Sequence, residues 1–436
     1  MVALGLVGII AGLAVLVVAI YKGYSLVIAA PVAALVVILF NGMDVLGGMF
    51  GTQNSYMSRL AGFILSNLPV FLLGAILAKY MDKSGAALAI AEKLMQLVGT
   101  SSPYRAMVAL FVITSVLTFG GINVFVVIFI LVPMAKPIFQ RYNINWQLVI
   151  IPIFGGGASF TMTMLPGSPS LHNIVPSNAL GTPLTAAPLV GIVTSIAAIA
   201  FLLIYMNVAL KRSQARGETF GATLSEEDSA IFDRPRPSFG VSIVPIVVLL
   251  AMILALSFVP QIILAALVVA ILLSMVLFRK FVTHKDVINQ GTMDSLTSVM
   301  TTGSTIAFGA FAVSVPAFHS VFNAIVSIPG NPLISLSVGT MVLAAITASS
   351  VGAEGIAVKA FAPTYLDMGV NPELIHRTIA ISAGPATFPH NGFLAVFNGL
   401  AGFNLRQSLM RAFLSLHMPH YIGIVIVVLI SSLGLA

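Results

Sequence analysis

The chain has 436 residues; 58% are hydrophobic, only 8% are charged, and the mean hydropathy is +1.07. A soluble domain carries about 25% charge, so a soluble enzyme is excluded and a polytopic membrane protein is expected. The net charge of +7 does not mark a nucleic-acid binder, because the basic residues sit in loops between apolar runs and form no stripe, and the absence of cysteine removes disulfide, thiolate and Cys-ligated metal chemistry.

The first apolar run, Val2 to Ile20, lacks a basic leader, and its first positive charge, Lys22, follows the run, which reads as a membrane span and not a cleaved signal. A second span covers Ser25 to Phe40. A polar loop leads to a third, Leu60 to Ala78. The segment from Lys79 to Gly99 spaces apolar residues at helical intervals among charges and suits an interfacial helix. From Arg105 the chain is apolar but is interrupted by TFGGINVF. Its arms, of about 13 to 15 residues, are too short to cross comfortably. The expectation is a re-entrant hairpin (105–141) with Gly120, Gly121 and Asn123 at its tip.

The stretch WQLVIIPIFGGGASFTMTMLPGSPSLHNIVPS follows. It starts as an apolar helix, then meets Gly155 to Gly157, the hydroxyls Ser159, Thr161 and Thr163, and the breaker Pro166, Gly167, Ser168, Pro169, Ser170. Proline denies a helix its hydrogen bonds where lipid offers no replacement, and such backbone is tolerated only inside protein or along a wet cavity. A broken helix (146–182) is expected here, then a span (184–210). The polar stretch 211–238 reads as a linker that divides the chain nearly in half.

The second half (239–436) repeats the order of the first (1–210). Scaffold helices (239–316, matching 1–81) include an amphipathic piece, FHSVFNAIVSI. A second hairpin (332–366) turns at Ser349, Ser350, Gly352 and Glu354. A second broken helix (374–400) is interrupted by Pro385 and Pro389, with Thr387, His390 and Asn391 at the break. A last span covers 409–436. With the linker in the cytoplasm, only Arg59, Lys359 and Arg377 of the 20 Lys and Arg fall on the outer side. That distribution obeys the positive-inside rule. It makes the halves oppositely oriented and leaves both termini outside. The expected fold class is an all-α polytopic membrane protein of two inverted repeats. That is the build of secondary transporters with a site at mid-membrane.

Four interruptions should then converge. Half-helix N-termini carry unpaired N–H groups and partial positive charge, natural seats for a carboxylate. Ser159, Thr161, Thr163, Ser168, Ser170, Asn173, Thr387 and Asn391 can bond a substrate's carboxylate or hydroxyls; alternatively, buried hydroxyls bond their own backbone and the glycine run only lets helices pack closely. Glu354 is the sole acid expected within a membrane element, where a carboxylate is costly and a functional candidate by default. An ion pair with Lys359 is the plain alternative, but a spacing of five sets the two about 140° apart on a helix. His390 and His172, in or after the two breaks, can donate to a substrate or carry the proton; a structural histidine is the alternative for His172. His319, His417 and His420 read as boundary residues. No arginine is expected at the site, which favours a monocarboxylate over a polyanion.

At TMTMLPGSPSLHNIVPS and TFPHNGFLAVFNGL, supported by GGINVFVV and APTYLDMGVNPELIHR, the sequence resembles the gluconate permease (GntP) family of the ion transporter superfamily over essentially the whole chain. The resemblance is closer to the branch that carries LPGxP. It implies proton-coupled uptake of sugar acids or short hydroxy- or ketocarboxylates at a bacterial inner membrane. It also implies a homodimer, in which hairpins and broken helices slide as an elevator against a scaffold. A sodium-driven carrier using Asn123 and Ser350, and a cation/proton antiporter, are the competing readings. No cofactor or metal is expected, and no nucleophile, base and orienting group fall together to suggest an enzyme.

Overall fold

The computed structural model describes residues 2–98, 102–119, 124–168, 170–221, 235–256, 259 and 261–435, and every regular element among them is helical. The first half holds α1 (Val2–Tyr21), α2 (Leu26–Phe40), a short α3 (Val45–Phe50), α4 (Tyr56–Lys83) and α5 (Ala86–Val98). It continues with α6 (Pro103–Phe119), α7 (Val124–Arg141), a 3-10 turn (Trp146–Val149), α8 (Ile150–Gly157), α9 (Phe160–Thr163), α10 (Leu171–Leu180) and α11 (Pro188–Ala215). The second half holds α12 (Phe239–Ala255), α13 (Ile262–Leu277), α14 (His284–Ala312), α15 (Phe318–Val326), α16 (Pro332–Thr347) and α17 (Ser350–Ala360). It ends with α18 (Ala362–Asp367), α19 (Pro372–Ala383), α20 (Gly392–Ala401) and α21 (Leu405–Ser432).

Among the described residues, five helices (α1, α4, α7, α11 and α21) are long and apolar enough to cross a membrane. Exposed apolar stripes occur on α11 (Ile192 and Ile196) and on the shorter α13 (Val268, Leu272 and Val276), where they recur at helical spacing. In water such stripes are an aggregation liability; against lipid they are the expected surface.

Several helices outrun the apolar stretches that announced them. α11 runs to Ala215 because LKRSQA contains good helix formers that need no burial. α21 begins at Leu405, where Asn404 and Gln407 form a reciprocal capping box. That start places His417 and His420 in mid-helix and fully buried, which corrects their reading as boundary residues.

The chain divides into two compact units, each drawing on both halves of the sequence. The first comprises Met1–Asn67, Met162–Ile199 and Val299–Ala436; the second comprises Leu68–Thr161 and Ala200–Ser298. Within the second unit α8 packs on α6, and α12 packs on α5. The glycine run allows the close approach of α8: a methyl on Gly156 would meet the Phe111 carbonyl oxygen at 2.6 Å, and one on Gly155 would meet Leu202 at 2.7 Å. Within the first unit α1 packs on α2 and α15, while α19 is surrounded by α10, α16, α17 and α21. Every residue of α19 from Leu374 to Ala383 is buried.

Candidate functional site

The first unit brings together three of the four expected interruptions. In the first, α9 stops at Thr163 and α10 starts at Leu171. Pro166 has no N–H, and Gly167 takes a left-handed φ of +83°, open to glycine at little cost. The backbone freed here finds partners inside the protein. Ser170 donates its hydroxyl to Met162 O (2.7 Å), and Asn173 Nδ2 donates to Ser168 O (2.9 Å) and Leu165 O (3.3 Å). The Gly167 N–H reaches Leu184 O at 3.0 Å. This re-pairing is what a non-lipid-facing break requires. Ser170 makes no side-chain cap on α10.

The second interruption, the turn between α16 and α17, is narrower than expected. Ala348 holds a left-handed φ of +46°, and Ser349 caps α17 by accepting from the Gly352 N–H at 3.1 Å. Ser350 and Gly352 fall in the first turn of α17, half-buried, and Glu354 lies on the helix itself rather than at the turn. The third interruption, between α19 and α20, reaches back to that turn. Asn391 Nδ2 donates to Ala348 O (2.8 Å) and Ala386 O (3.0 Å), while its Oδ1 accepts from the Leu394 N–H (2.7 Å) and so caps α20.

Glu354 is fully buried, and its Oε1 lies 2.6 Å from His172 Nδ1 on α10. The pair joins the second hairpin to the first broken helix. Lys359 is exposed on the far side of α17, so the sequence's plain alternative for Glu354 is replaced by a histidine 182 residues away. Glu354 Oε2 has no hydrogen-bond partner among the described residues.

The other histidines of this unit can be told apart by what faces them. A carbonyl only accepts, so the nitrogen beside it carries the proton. His420 thus directs Nδ1–H at Leu416 O and accepts from the Thr163 hydroxyl through Nε2 (2.9 Å). His417 donates through Nε2 to Thr387 O (3.2 Å) and accepts from Tyr421 through Nδ1 (2.9 Å). His376 accepts from Thr182 through Nδ1 (2.7 Å), with Nε2 3.4 Å from Asn173 Oδ1. His390 faces Ile346 O through Nε2 at 3.4 Å, and its Nδ1 is unpartnered among the described residues. Of these buried rings, His172 is the one paired with a carboxylate.

An arginine does lie beside the first break, contrary to the sequence expectation. Arg377 is among the largest fully buried side chains. Its Nη1 donates to Asn173 Oδ1 (2.9 Å) and Thr163 O (3.4 Å), and its Nε and Nη2 both donate to Ala186 O (3.2 and 2.9 Å). Four of the five guanidinium N–H groups are therefore aimed at the protein. This arginine is spent on backbone and on Asn173, and is not held out toward an anion.

The remaining expected residues fall elsewhere. Ser159 and Thr161 belong to the second unit, where Ser159 bonds Gly155 O and Thr161 bonds Gly156 O (3.1 Å) and the Thr118 hydroxyl (2.8 Å). Gly120, Gly121 and Asn123, the expected first hairpin tip, lie outside the described residues, as does Pro169.

A helical chain with several membrane-length helices and internally satisfied breaks is a membrane-transport architecture. The GntP family permease pattern matches residues 4–433, and the chain belongs to that family. It is therefore a membrane permease. It is 31% identical over 432 residues to the uncharacterized transporter YxjC of Bacillus subtilis, covering 89% of this chain and 90% of the relative. An uncharacterized transporter of Haemophilus influenzae is 25% identical over 351 residues, covering 78% of each. Among solved structures, the Alcanivorax borkumensis YdaH transporter, described as having an unusual topology, aligns over 87% of this chain and 88% of its own with a TM-score of 0.49 and 14% identity.

Proposed function

We propose that this permease is a secondary active transporter that imports a small organic monocarboxylate, a gluconate-like sugar acid or a short hydroxy or keto acid, by proton symport. The observation that carries this reading is the buried Glu354–His172 hydrogen bond between the second hairpin and the first broken helix. A lone carboxylate in a dry interior is costly. Paired with one histidine, Glu354 shares a single proton, and the pair is neutral overall whichever partner holds it. A second proton makes the pair cationic. A monoanion bound alongside restores neutrality, so proton and substrate cross together and neither crosses cheaply alone. The uncapped N-terminus of α10, immediately before His172, offers the anion its seat.

The two halves support the inverted-repeat reading through their matched helix orders and lengths: 20, 15 and 28 residues open one, and 17, 16 and 29 the other, apart from the extra short α3. α12 packs on α5, and α1 packs on α15, a reciprocal exchange between first spans and interfacial helices. On this reading the hairpins and broken helices form the moving part of an elevator, in a homodimer of the inner membrane with both termini outside.

The test is uptake into proteoliposomes of labelled gluconate, 3-hydroxybutyrate, lactate and citrate, with and without an inward proton gradient. One of the monocarboxylates accumulates only with the gradient. Accumulation of none, or stimulation by sodium at fixed pH instead, removes the proton-symport reading. The companion variant Glu354→Gln retains substrate exchange but loses gradient-driven accumulation; undiminished accumulation takes Glu354 out of the mechanism.

A further inference from the structure

Arg377 and Glu373 sit four residues apart on α19, on one face of the helix. They hold the same peptide plane from opposite edges. Arg377 Nε and Nη2 donate to the Ala186 carbonyl (3.2 and 2.9 Å), and Glu373 Oε2 accepts from the Ala187 N–H (2.7 Å). Ala187 has a left-handed φ of +44° and precedes Pro188. Alanine rarely adopts that conformation, and it persists where the surroundings impose it. The third guanidinium nitrogen, Nη1, holds Asn173 Oδ1 at 2.9 Å. Asn173 in turn fixes the start of α10 through Ser168 O and Leu165 O. The next residue back is His172, 2.6 Å from Glu354. Thr163 O, at the end of α9, is the remaining acceptor at 3.4 Å.

We propose that Arg377, braced by Glu373, is a positioning residue that sets the register of the first broken helix and thereby holds His172 against Glu354. The assignment rests on the Glu354–His172 pair being the proton carrier. Arg377 touches neither the proton nor the substrate. It acts through Asn173 and through the 186–187 peptide, which leads into α11. The fork geometry is what the role uses: three acceptors in different directions suit a planar guanidinium and not a single ammonium point.

The experiment compares proton-driven accumulation with substrate counterflow in proteoliposomes carrying Arg377→Lys. Lysine keeps the charge and loses the fork. Accumulation falls about tenfold while counterflow stays within about threefold of the parent, a loss of coupling within the usual range between linked sites. Adding Ala187→Gly, which lets the loop hold its conformation without the brace, recovers part of the accumulation. Parental accumulation in Arg377→Lys overturns the proposal, and so does a loss of counterflow in proportion to accumulation at normal membrane levels. If Arg377→Lys does not reach the membrane, Glu373→Ala is put through the same two assays and judged by the same outcomes. Glu354→Gln run alongside separates the two failures. If it uncouples while Arg377→Lys does not, only the positioning role falls; if it accumulates normally, the proton-carrier reading beneath it falls.

Discussion

At the scale of single residues, the first broken helix is held by side chains chosen for what they can accept or donate. Thr163 serves twice: its hydroxyl satisfies His420 and its carbonyl accepts from Arg377. Thr163→Val removes only the first, leaving His420 Nε2 buried without a donor, a loss of roughly 1–3 kcal/mol. The expected result is a lower melting temperature in detergent with coupling intact, since the carbonyl remains. Ala187→Gly has the opposite sign. A left-handed alanine costs roughly 1–2 kcal/mol, whereas the extra freedom glycine gives the unfolded chain costs about 0.4–1 kcal/mol. Relief of strain therefore wins, and the melting temperature of that variant holds or rises; a clear fall would show that Ala187 is not strained.

At the scale of elements, the turn before α17 and the break before α20 are each seated on α14 through glycine. A methyl added to Gly392 meets the Thr302 α-carbon at 2.6 Å, and one added to Gly309 runs into Thr347 of the hairpin turn. Backbone cannot yield as a flexible side chain can. Gly309→Ala and Gly392→Ala are each expected to cost about 1–3 kcal/mol through overpacking, read as reduced yield of folded protein and slower exchange. The breaks themselves were legible because proline, glycine and clustered hydroxyls advertise them, and Pro166 and Pro389 lie where the helices stop. Other parts of the site were hidden for physical reasons. A span was measured by its apolar length, which put His417 and His420 near an end; the capping box at Asn404 starts the helix earlier and carries both inside. Arg377 was counted among the outer charges and not at the site because nothing local shows that a helix broken some 200 residues earlier in the chain will need donors. Glu354 stood out in the sequence as an acid within a membrane element, and it is buried, but its partner His172 lies in the other half of the sequence, and no spacing rule joins them.

At the scale of the whole molecule, the proposed inversion of the halves is open to direct measurement because the chain contains no cysteine. Tyr24, between α1 and α2, and Gln261, at the head of α13, occupy corresponding turns and are both exposed. Tyr24→Cys should react with an impermeant thiol reagent only from the cytoplasmic side, and Gln261→Cys only from outside. Labelling of both from one face would make the halves parallel and remove the basis for a shared mid-membrane site. The compact units cut across the halves, so neither half is expected to fold when expressed alone; co-expression of 1–221 with 235–436 should restore what neither yields separately.

The grip on the 186–187 peptide has a consequence for anyone reading relatives of this chain. Its acceptor and donor are main-chain atoms, which every amino acid but proline supplies. The bonds themselves therefore place no demand on the side chains at 186 and 187, where burial and the left-handed φ of residue 187 set the limits, while α19 must keep both of its charged side chains. In a family comparison the lock would show as two persistent charges whose counterpart is a peptide group, marked at most by small residues or glycine in the loop.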